Sequence, residues 1–262
     1  MKFSERWLRE WVDPPVDSAG LVAQLTGAGL EVDAVEPAAG GDLAGIVVGR
    51  VLQVAPHPDA DKLRVCQVDA GQGEPLTIVC GAPNVHEGMR APTALVGAVL
   101  PGGMEIKQAS LRGVASAGML CSAAELGLAE DAAGLMPLPA DAPVGAALGD
   151  YLGLDDVSIE VDLTPNRGDC LGVAGIAREV GVLNRLAVTP PAMEPVAAVS
   201  EDTLPVALEA PADCPRYLGR VIRDVDPAAP SPLWLRERLR RSGLRSISAL
   251  VDITNHVLLE LG

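Results

Sequence analysis

Hydrophobic and polar residues alternate in short runs between Gly45 and Leu128, in a pattern typical of β-strands. The runs are rich in Val and Ile, and Gly, Pro, Asn and Asp interrupt them roughly every 8–12 residues. The clearest alternation places Met104 and Ile106 on one face and Glu105 and Lys107 on the other, which predicts a strand with one buried face. About five such strands, closed into a barrel with loops at one rim, would form an OB-fold, an architecture that recurrently binds oligonucleotides.

Gly49 lies inside the first predicted strand, Ile46–Val54. A glycine within a strand marks either a bend or a place where another part of the backbone approaches closely, and the sequence leaves both open. Leu76–Cys80 alternates as a further strand, and residues 129–139 predict the last one. The pattern therefore predicts a small β-barrel, but by itself it is only weak support for nucleic-acid binding.

Helix and strand patterns precede the predicted barrel. Residues 4–12 predict a helix with Ser4 as its N-cap, and Asp17 or Ser18 can cap a second helix. Leu30–Glu36 then alternates as a strand. A unit of this size cannot hold a hydrophobic core alone, so we expect it to pack against a later part of the chain.

The expected partner follows the barrel. Val157–Leu163 predicts a strand, and Cys170–Leu186 predicts a helix with one apolar stripe, for which Asp169 is well placed as the cap. The fold class is therefore α+β and multidomain, with an OB-fold barrel inserted into a small split α/β domain and the start of a third α+β domain after it. The predicted units are 1–39 with 151–187 (split domain), 40–150 (OB-fold), 188–204 (Pro/Ala-rich linker) and 205–262 (start of the third domain).

The third unit begins with two predicted strands, at 205–210 and 216–225. A helix follows, with Ser231 as its cap and Gly243 just beyond its end, and a last helix is predicted from about Ser248 to Leu261. These elements are too few to complete a domain, so we expect this unit to be truncated.

Composition narrows the class of protein. The 262 residues are 48% hydrophobic and 21% charged, which describes a chain able to bury a core. Five scattered cysteines without a C-x-x-C pair argue against a disulfide framework or a zinc site. The charged N-terminus resembles no signal peptide, and no apolar run approaches the ~18 residues of a membrane span. We therefore expect a cytoplasmic protein.

Three blocks within the predicted barrel resemble the tRNA-binding OB module found in several synthetases. They are HPDADKL (57–63), VCGAPN (79–84) and LRGVASAGMLCSAAELGL (111–128). The flanks MKFSERWLREWV, GLEVDAVE, SIEVDLTPNRGDCLGVAGIAREV, CPRYLGRVI and SGLRSISALVDITNHVLLELG resemble the bacterial phenylalanyl-tRNA synthetase β subunit. The resemblance covers essentially all of the chain, and that family's subunit is about three times longer. We therefore expect this chain to be its N-terminal portion.

The resemblance implies an α2β2 ligase that joins phenylalanine to its tRNA with ATP and Mg²⁺. Its partners would be phenylalanine-specific tRNA and the α subunit, with neither DNA nor a membrane. Since the adenylate chemistry belongs to the α subunit, this chain is expected to be non-catalytic and to bind no cofactor itself. Arg245 and Thr254 fall in the family's RSI-x-x-VVD-x-TN stretch and would form part of the wall of an editing pocket.

Lys62 and Asn84 each have a functional and a structural interpretation. Lys62 follows a turn at the predicted rim, where it would meet a phosphate or else neutralise Asp59 or Asp61. Asn84 would contact a base or ribose edge, or else form an Asx-turn that holds its own loop. The sequence does not decide between these alternatives.

Four more residues match the rim of the module: Arg90, Ser116, Met119 and Ser122. They would form a nucleotide cradle, although some are expected to serve packing and loop geometry instead.

His57, Asp59, Asp61 and His86 match no metal-ligand spacing, so no metal site is expected. The basic run Arg236, Arg238, Arg240 and Arg241 is interpreted as a solvated helix face.

The charge of the barrel favours a different class of function. Residues 40–150 hold six Lys and Arg against twelve Asp and Glu, and none of them is Phe, Trp or Tyr. RNA-binding domains are usually basic and offer aromatic side chains on which bases stack. The alternative is an OB-type protein-interaction module with little direct RNA contact.

Overall fold

The computed structural model describes residues 1–130 and 134–262. Its strands are β1 (Lys2–Ser4), β2 (Glu31–Pro37), β3 (Ile46–His57), β4 (Ala60–Asp69), β5 (Leu76–Cys80), β6 (Arg90–Ala94), β7 (Ala109–Leu111), β8 (Val114–Ser116), β9 (Met119–Leu120) and β10 (Val157–Asp162). Its α-helices are α1 (Glu5–Trp11), α2 (Ser18–Gly27), α3 (Leu148–Leu152), α4 (Val173–Asn184), α5 (Leu233–Arg241) and α6 (Ala249–Leu261). A 3₁₀ helix spans Pro165–Cys170.

The central sheet is antiparallel and has the strand order β5-β4-β3-β6-β9. The order leaves a gap between β5 and β9, which two hydrogen bonds cross. The Ala117 amide donates to the Thr77 carbonyl at 2.9 Å, and the Val79 amide donates to Ser116 Oγ at 3.1 Å. The five strands thus form a nearly closed barrel, as expected for an OB-fold.

Gly49 marks a close approach. It lies in β3 opposite Ala91 of β6, and a Cβ at this position would stand 2.0 Å from Thr93 Oγ1. The approach is made by the side chains of Thr93 and Val68, so neighbouring groups leave no space for a side chain at Gly49, but the expected approach of another backbone segment is not observed.

One strand prediction in this region is wrong, and a second falls partly outside the described residues. The segment around Met104 forms no strand: Met104 is exposed, and Glu105 makes a single bridge to Val99. Residues 104–107 instead belong to a loop. Their one buried side chain, Ile106, packs into the hydrophobic core. In the predicted strand at 129–139, residues 131–133 lie outside the described residues, and of the others Leu138 forms one bridge to Arg90.

A second sheet joins both flanks of the barrel segment. Strand β10 lies between β1 and β2 and is antiparallel to both. Helices α1 and α4 pack beside it, and Phe3, Trp7, Ile159 and Ile176 are fully buried in their shared core. The Ser4 cap of α1 and the Asp17 cap of α2 are confirmed.

The predicted cap of α4 is wrong. Asp169 belongs to the 3₁₀ helix, which turns the chain once more before α4 begins after Gly172 without a side-chain cap. The predicted helix starting at Cys170 is therefore two elements, with Leu171 and Gly172 between them.

The strands predicted at 205–210 and 216–225 are also wrong. Both segments are irregular and exposed, and no neighbouring strand lies beside them among the described residues. An isolated strand cannot satisfy its backbone, so the β-type sequence alone does not produce one. Ser231 is not the cap of α5 either, because its hydroxyl donates to the buried Asp252. The predicted last helix is confirmed as α6, capped by Ser248.

Candidate nucleic-acid interface

Lys62 stands near the start of β4, directly after the turn that joins it to β3. Its side chain is exposed, and in the described part of the chain no carboxylate lies within 4 Å of its ammonium group. The structural alternative, an ion pair with Asp59 or Asp61, is therefore not seen. Lys62 is available to a phosphate from solvent.

An open groove of about 760 Å³ runs along the gap between β5 and β9. Of the six predicted RNA-binding residues it brings together Ser116, Met119 and Ser122, and it does not include the other three. Most of its walls are apolar, with Glu125 within it and the ion pair of Lys107 and Glu105 (2.9 Å) on its lining. The groove therefore offers contact area to a base or a sugar rather than charge to a phosphate.

The two serines in this groove are committed to internal hydrogen bonds. Ser116 is buried, and its hydroxyl accepts from Val79 and donates to the Gly118 carbonyl at 3.1 Å. Ser122 and Glu125 form a reciprocal capping arrangement, in which Glu125 Oε2 accepts from the Ser122 hydroxyl at 2.6 Å and from its amide at 2.7 Å. Both hydroxyls shape the groove, and Met119 is the predicted residue that contributes open apolar surface.

Asn84 and Arg90 also have internal partners. The Asn84 amide group forms two hydrogen bonds of 2.9 Å with the backbone of Leu135, one as donor and one as acceptor. It thus joins two loops of the barrel, rather than forming a turn within its own loop. Arg90 Nη1 donates to the Ala142 carbonyl at 2.6 Å. The Asx-turn proposed for Asn84 is therefore not observed, and both side chains have hydrogen-bond partners within the chain.

The thiols near the groove are poor nucleophiles. Burial, reinforced by the charge of Glu125, raises the pKa of Cys121 to about 12. Burial also raises the pKa of Cys80, which lines the groove. A thiol with a pKa of about 12 carries almost no thiolate at neutral pH, so covalent chemistry through Cys121 is disfavoured, and burial acts in the same direction on Cys80.

The editing-pocket candidates lie at the other end of the chain. Arg245 is exposed in the loop between α5 and α6, and Thr254 is exposed on α6, where its hydroxyl donates to the Val251 carbonyl at 2.8 Å. Asp252, between them in sequence, is fully buried and accepts hydrogen bonds from Ser231, Ser246 and the Ile247 amide. This carboxylate holds the loop that carries Arg245, a role that the sequence did not reveal.

Three of the four arginines of α5 contact other parts of the chain rather than forming a solvated face. Arg238 pairs with Glu10, Arg240 donates to the Ala38 carbonyl at 2.8 Å, and the side chain of Arg241 is only 7% exposed. The interpretation as a solvated face is wrong because α5 packs against residues on both sides of the barrel segment, 1–38 and 152–156. These three arginines bind to groups in those two ranges. Charge spacing along one helix cannot show which partner lies beside it.

Two further properties concern metals and membranes. Among the described residues, no three His, Cys, Asp or Glu side chains are grouped so that they could hold a metal ion. None of the described helices is both long and apolar enough to span a bilayer.

The sequence of the chain matches family models and known proteins. A family model described as a putative tRNA binding domain matches residues 46–147, and a B3/4 domain model matches residues 213–262. The phenylalanine–tRNA ligase beta subunit of Methylococcus capsulatus is 62% identical over 262 residues, which are 100% of this chain and 33% of that protein. The chain is similar over its whole length to phenylalanine–tRNA ligase β subunits.

Other relatives agree with this result. The β subunit of the phenylalanine–tRNA ligase of Pectobacterium atrosepticum is 58% identical, again over 100% of this chain and 33% of that protein. The chain thus spans about a third of the length of the curated β subunits it matches. Among solved structures, a MetRS related protein from Pyrococcus horikoshii covers 39% of this chain and 87% of its own at 30% identity, with a TM-score of 0.30.

Proposed function

We propose that this chain contributes tRNA binding and subunit architecture to the ATP-dependent charging of tRNA with phenylalanine. The observation that carries the proposal is the 62% identity to a phenylalanine–tRNA ligase β subunit over the whole chain, together with the tRNA-binding model matching the barrel. The enzyme would be an α2β2 heterotetramer in the cytoplasm, with the α subunit and phenylalanine-specific tRNA as partners.

The ATP and Mg²⁺ chemistry belongs, in this proposal, to parts of the enzyme other than these residues. Mg²⁺ is held by carboxylates with several waters and substrate phosphates. The described residues group no three potential metal ligands, and the sequence has no phosphate-binding loop. The chain by itself is therefore expected to form no aminoacyl adenylate. Arg245 and Thr254 would contribute only the wall of an editing pocket.

The chain is proposed to divide at the boundaries expected from its sequence, with 1–39 and 151–187 as one unit around the inserted barrel. Support comes from the pairing of β10 with both β1 and β2 and from the core that α1, α2 and α4 share with these strands. One hydrophobic cluster, around Val51, Cys66 and Ile78, lies wholly within the barrel and supports its independence, whereas a second cluster extends to Ala38, Leu152 and Leu154 outside it. A barrel of residues 43–148 should then fold cooperatively, whereas a peptide of residues 1–42 should not.

RNA contact is proposed at the rim that combines the Lys62 turn with the groove. Lys62 would meet a phosphate, and Met119 with the neighbouring apolar wall would contact a base or sugar. Since Arg90, Ser116, Ser122 and Asn84 have internal partners, they are expected to support this surface rather than carry affinity. With so few free cations the salt dependence of binding should be shallow.

Filter binding of the chain to phenylalanine-specific tRNA, at low and at physiological salt, tests the proposal. Binding that weakens with salt is expected, and Lys62→Ala should weaken it for all tRNAs alike because a phosphate carries no base identity. Arg178→Ala, which removes an exposed cation outside the barrel, is the matched control. Unchanged affinity in Lys62→Ala and in a Lys62/Arg90 double variant would exclude the rim and support the protein-interaction module instead.

A further inference from the structure

Helices α5 and α6, here called the helix pair, are joined to the rest of the chain by a long irregular segment. Residues 186–232 contain neither helix nor strand and are almost wholly exposed. A tether of this length costs little to rearrange, since closure entropy changes slowly with loop length. The tether therefore does not determine where the helix pair sits.

The three hydrophobic clusters reach the helix pair only at their edges, and two leucines of α5, Leu235 and Leu239, are buried outside them. The fully buried members of the three apolar clusters all lie between Phe3 and Val180. From the helix pair, Leu233 and Leu259 touch these clusters and are only partly buried. Stacking of His256 on Trp7, with ring centroids 5.1 Å apart, is the main aromatic contact across the boundary. Polar contacts supply the rest of the attachment: Arg238 pairs with Glu10, and Arg240 donates to the Ala38 carbonyl.

Arg241 supplies the most buried of these contacts. Its Nη1 lies 2.8 Å from Asp156 Oδ2 and 3.1 Å from the Gly153 carbonyl, and its Nη2 lies 2.7 Å from the Leu152 carbonyl. Asp156 is 1% exposed, and Leu152 and Gly153 end the helix that leaves the barrel. One guanidinium thus joins α5 to the barrel exit and to the start of β10, in a fork geometry that lysine cannot reproduce.

The partners of Arg241 keep other hydrogen bonds if the arginine leaves. Asp156 still accepts from the Ser4 hydroxyl and from the amides of Arg6 and Val157. Glu237, which also accepts from Arg241, still pairs with Arg240 at 2.8 Å. The usual cost of breaking a buried ion pair is the charge left without a partner, and here both carboxylates retain donors.

We propose that Arg241 is a latch that holds the helix pair against the barrel exit, and that its release lets the helix pair undock as a unit while the barrel and the β1-β10-β2 sheet stay folded. Undocking would change the distance between the two segments that the tRNA-binding and B3/4 models match, so the latch controls how both are presented together. The proposal concerns this chain's own conformation and does not depend on tRNA binding.

Hydrogen exchange measured by mass spectrometry on the whole chain tests the latch. In Arg241→Gln, exchange of amides 233–261 should accelerate at least about tenfold, because losing one charge-assisted hydrogen bond suffices for that factor. Exchange in residues 1–184 should not change. The control Arg236→Gln removes an arginine from the same helix that forms no ion pair within the described residues and should leave all exchange unchanged.

Three results would overturn the proposal. Unchanged exchange in 233–261 of Arg241→Gln would show that other contacts hold the helix pair. A comparable acceleration in 1–184, or a variant that fails to fold, would show that Arg241 belongs to one cooperative structure rather than to a separable latch. An equal effect of Arg236→Gln would show that any loss of positive charge from α5 suffices.

Discussion

Replacing Gly49 with Ala should destabilise the barrel for steric reasons alone. The backbone of Gly49 is not in the left-handed region, so alanine suits its conformation. The added Cβ, however, would lie 2.0 Å from Thr93 Oγ1, 3.0 Å from Thr93 Cβ and 3.1 Å from Val68 Cγ1. Thr93 is fully buried, so it has no solvent to turn into. Overpacking of this kind costs about 3 kcal/mol. The lower entropy of the unfolded alanine chain returns up to about 1 kcal/mol, which leaves a net loss of about 2 kcal/mol.

Hydrogen exchange of the β3 and β6 amides measures this loss locally. Tryptophan fluorescence would not, because Trp7, Trp11 and Trp234 all lie outside the barrel. A loss of about 2 kcal/mol corresponds to exchange about thirtyfold faster. Gly102→Ala, in the same barrel segment and with no atom within 4 Å of the new Cβ, is the control and should have no such effect. Equal exchange rates in Gly49→Ala and the unmodified chain would refute the reasoning, since the neighbours would then yield without cost.

Four further outcomes are expected. Lys62→Ala should reduce the slope of log affinity for tRNA against log salt by about one unit, measured by filter binding, and an unchanged slope would remove Lys62 from the interface. Asn84→Ala should lower barrel stability by about 2 kcal/mol without RNA present, because the Leu135 amide and carbonyl lose their partners; a chemical denaturation curve equal to that of the unmodified chain would contradict this. Burial raises the pKa of Asp252, but hydrogen bonds from Ser231, Ser246 and two backbone amides outweigh it and hold the pKa below its ordinary value of 3.8. A lowered folded-state pKa contributes stability that is present above about pH 4 and is lost as the pH falls through the folded value, so the urea midpoint of the helix pair should drop on acidification, and Asp252→Asn should flatten that dependence. Lastly, a thiol reagent at about pH 8 should modify Cys214 alone in the folded chain, because burial raises the pKa of Cys66 to about 11 and of Cys121 to about 12, and Cys214 is exposed; rapid modification of a second cysteine would contradict the burial.

Local patterns in the sequence determined the elements whose stabilising contacts are themselves local. The Ser4 and Asp17 caps lie within a turn of the amides they accept from, and the strand alternation at 76–80 reports which side chains face inward. The family resemblance was also readable, because its motifs are contiguous blocks of residues. These features need no knowledge of what lies far away in the chain.

The tertiary structure decided every assignment that depends on a distant partner. The β-type runs at 205–225 form no strands because no neighbouring strand pairs with them in the described residues. The sequence around Ser231 predicts a helix cap. In the structure its hydroxyl instead donates a hydrogen bond to Asp252, which is 21 positions away.

The same dependence explains the candidate interface. Asn84 and Arg90 have the side chains of nucleotide-binding residues, but Leu135 and Ala142, which are some fifty positions away, take up their hydrogen bonds. The α5 arginines likewise have the spacing of a solvated face. In the folded chain, however, Arg241 is buried and forms an ion pair with Asp156. A sequence specifies which groups can donate and accept hydrogen bonds, but only folding decides which donor meets which acceptor and which are left for a ligand.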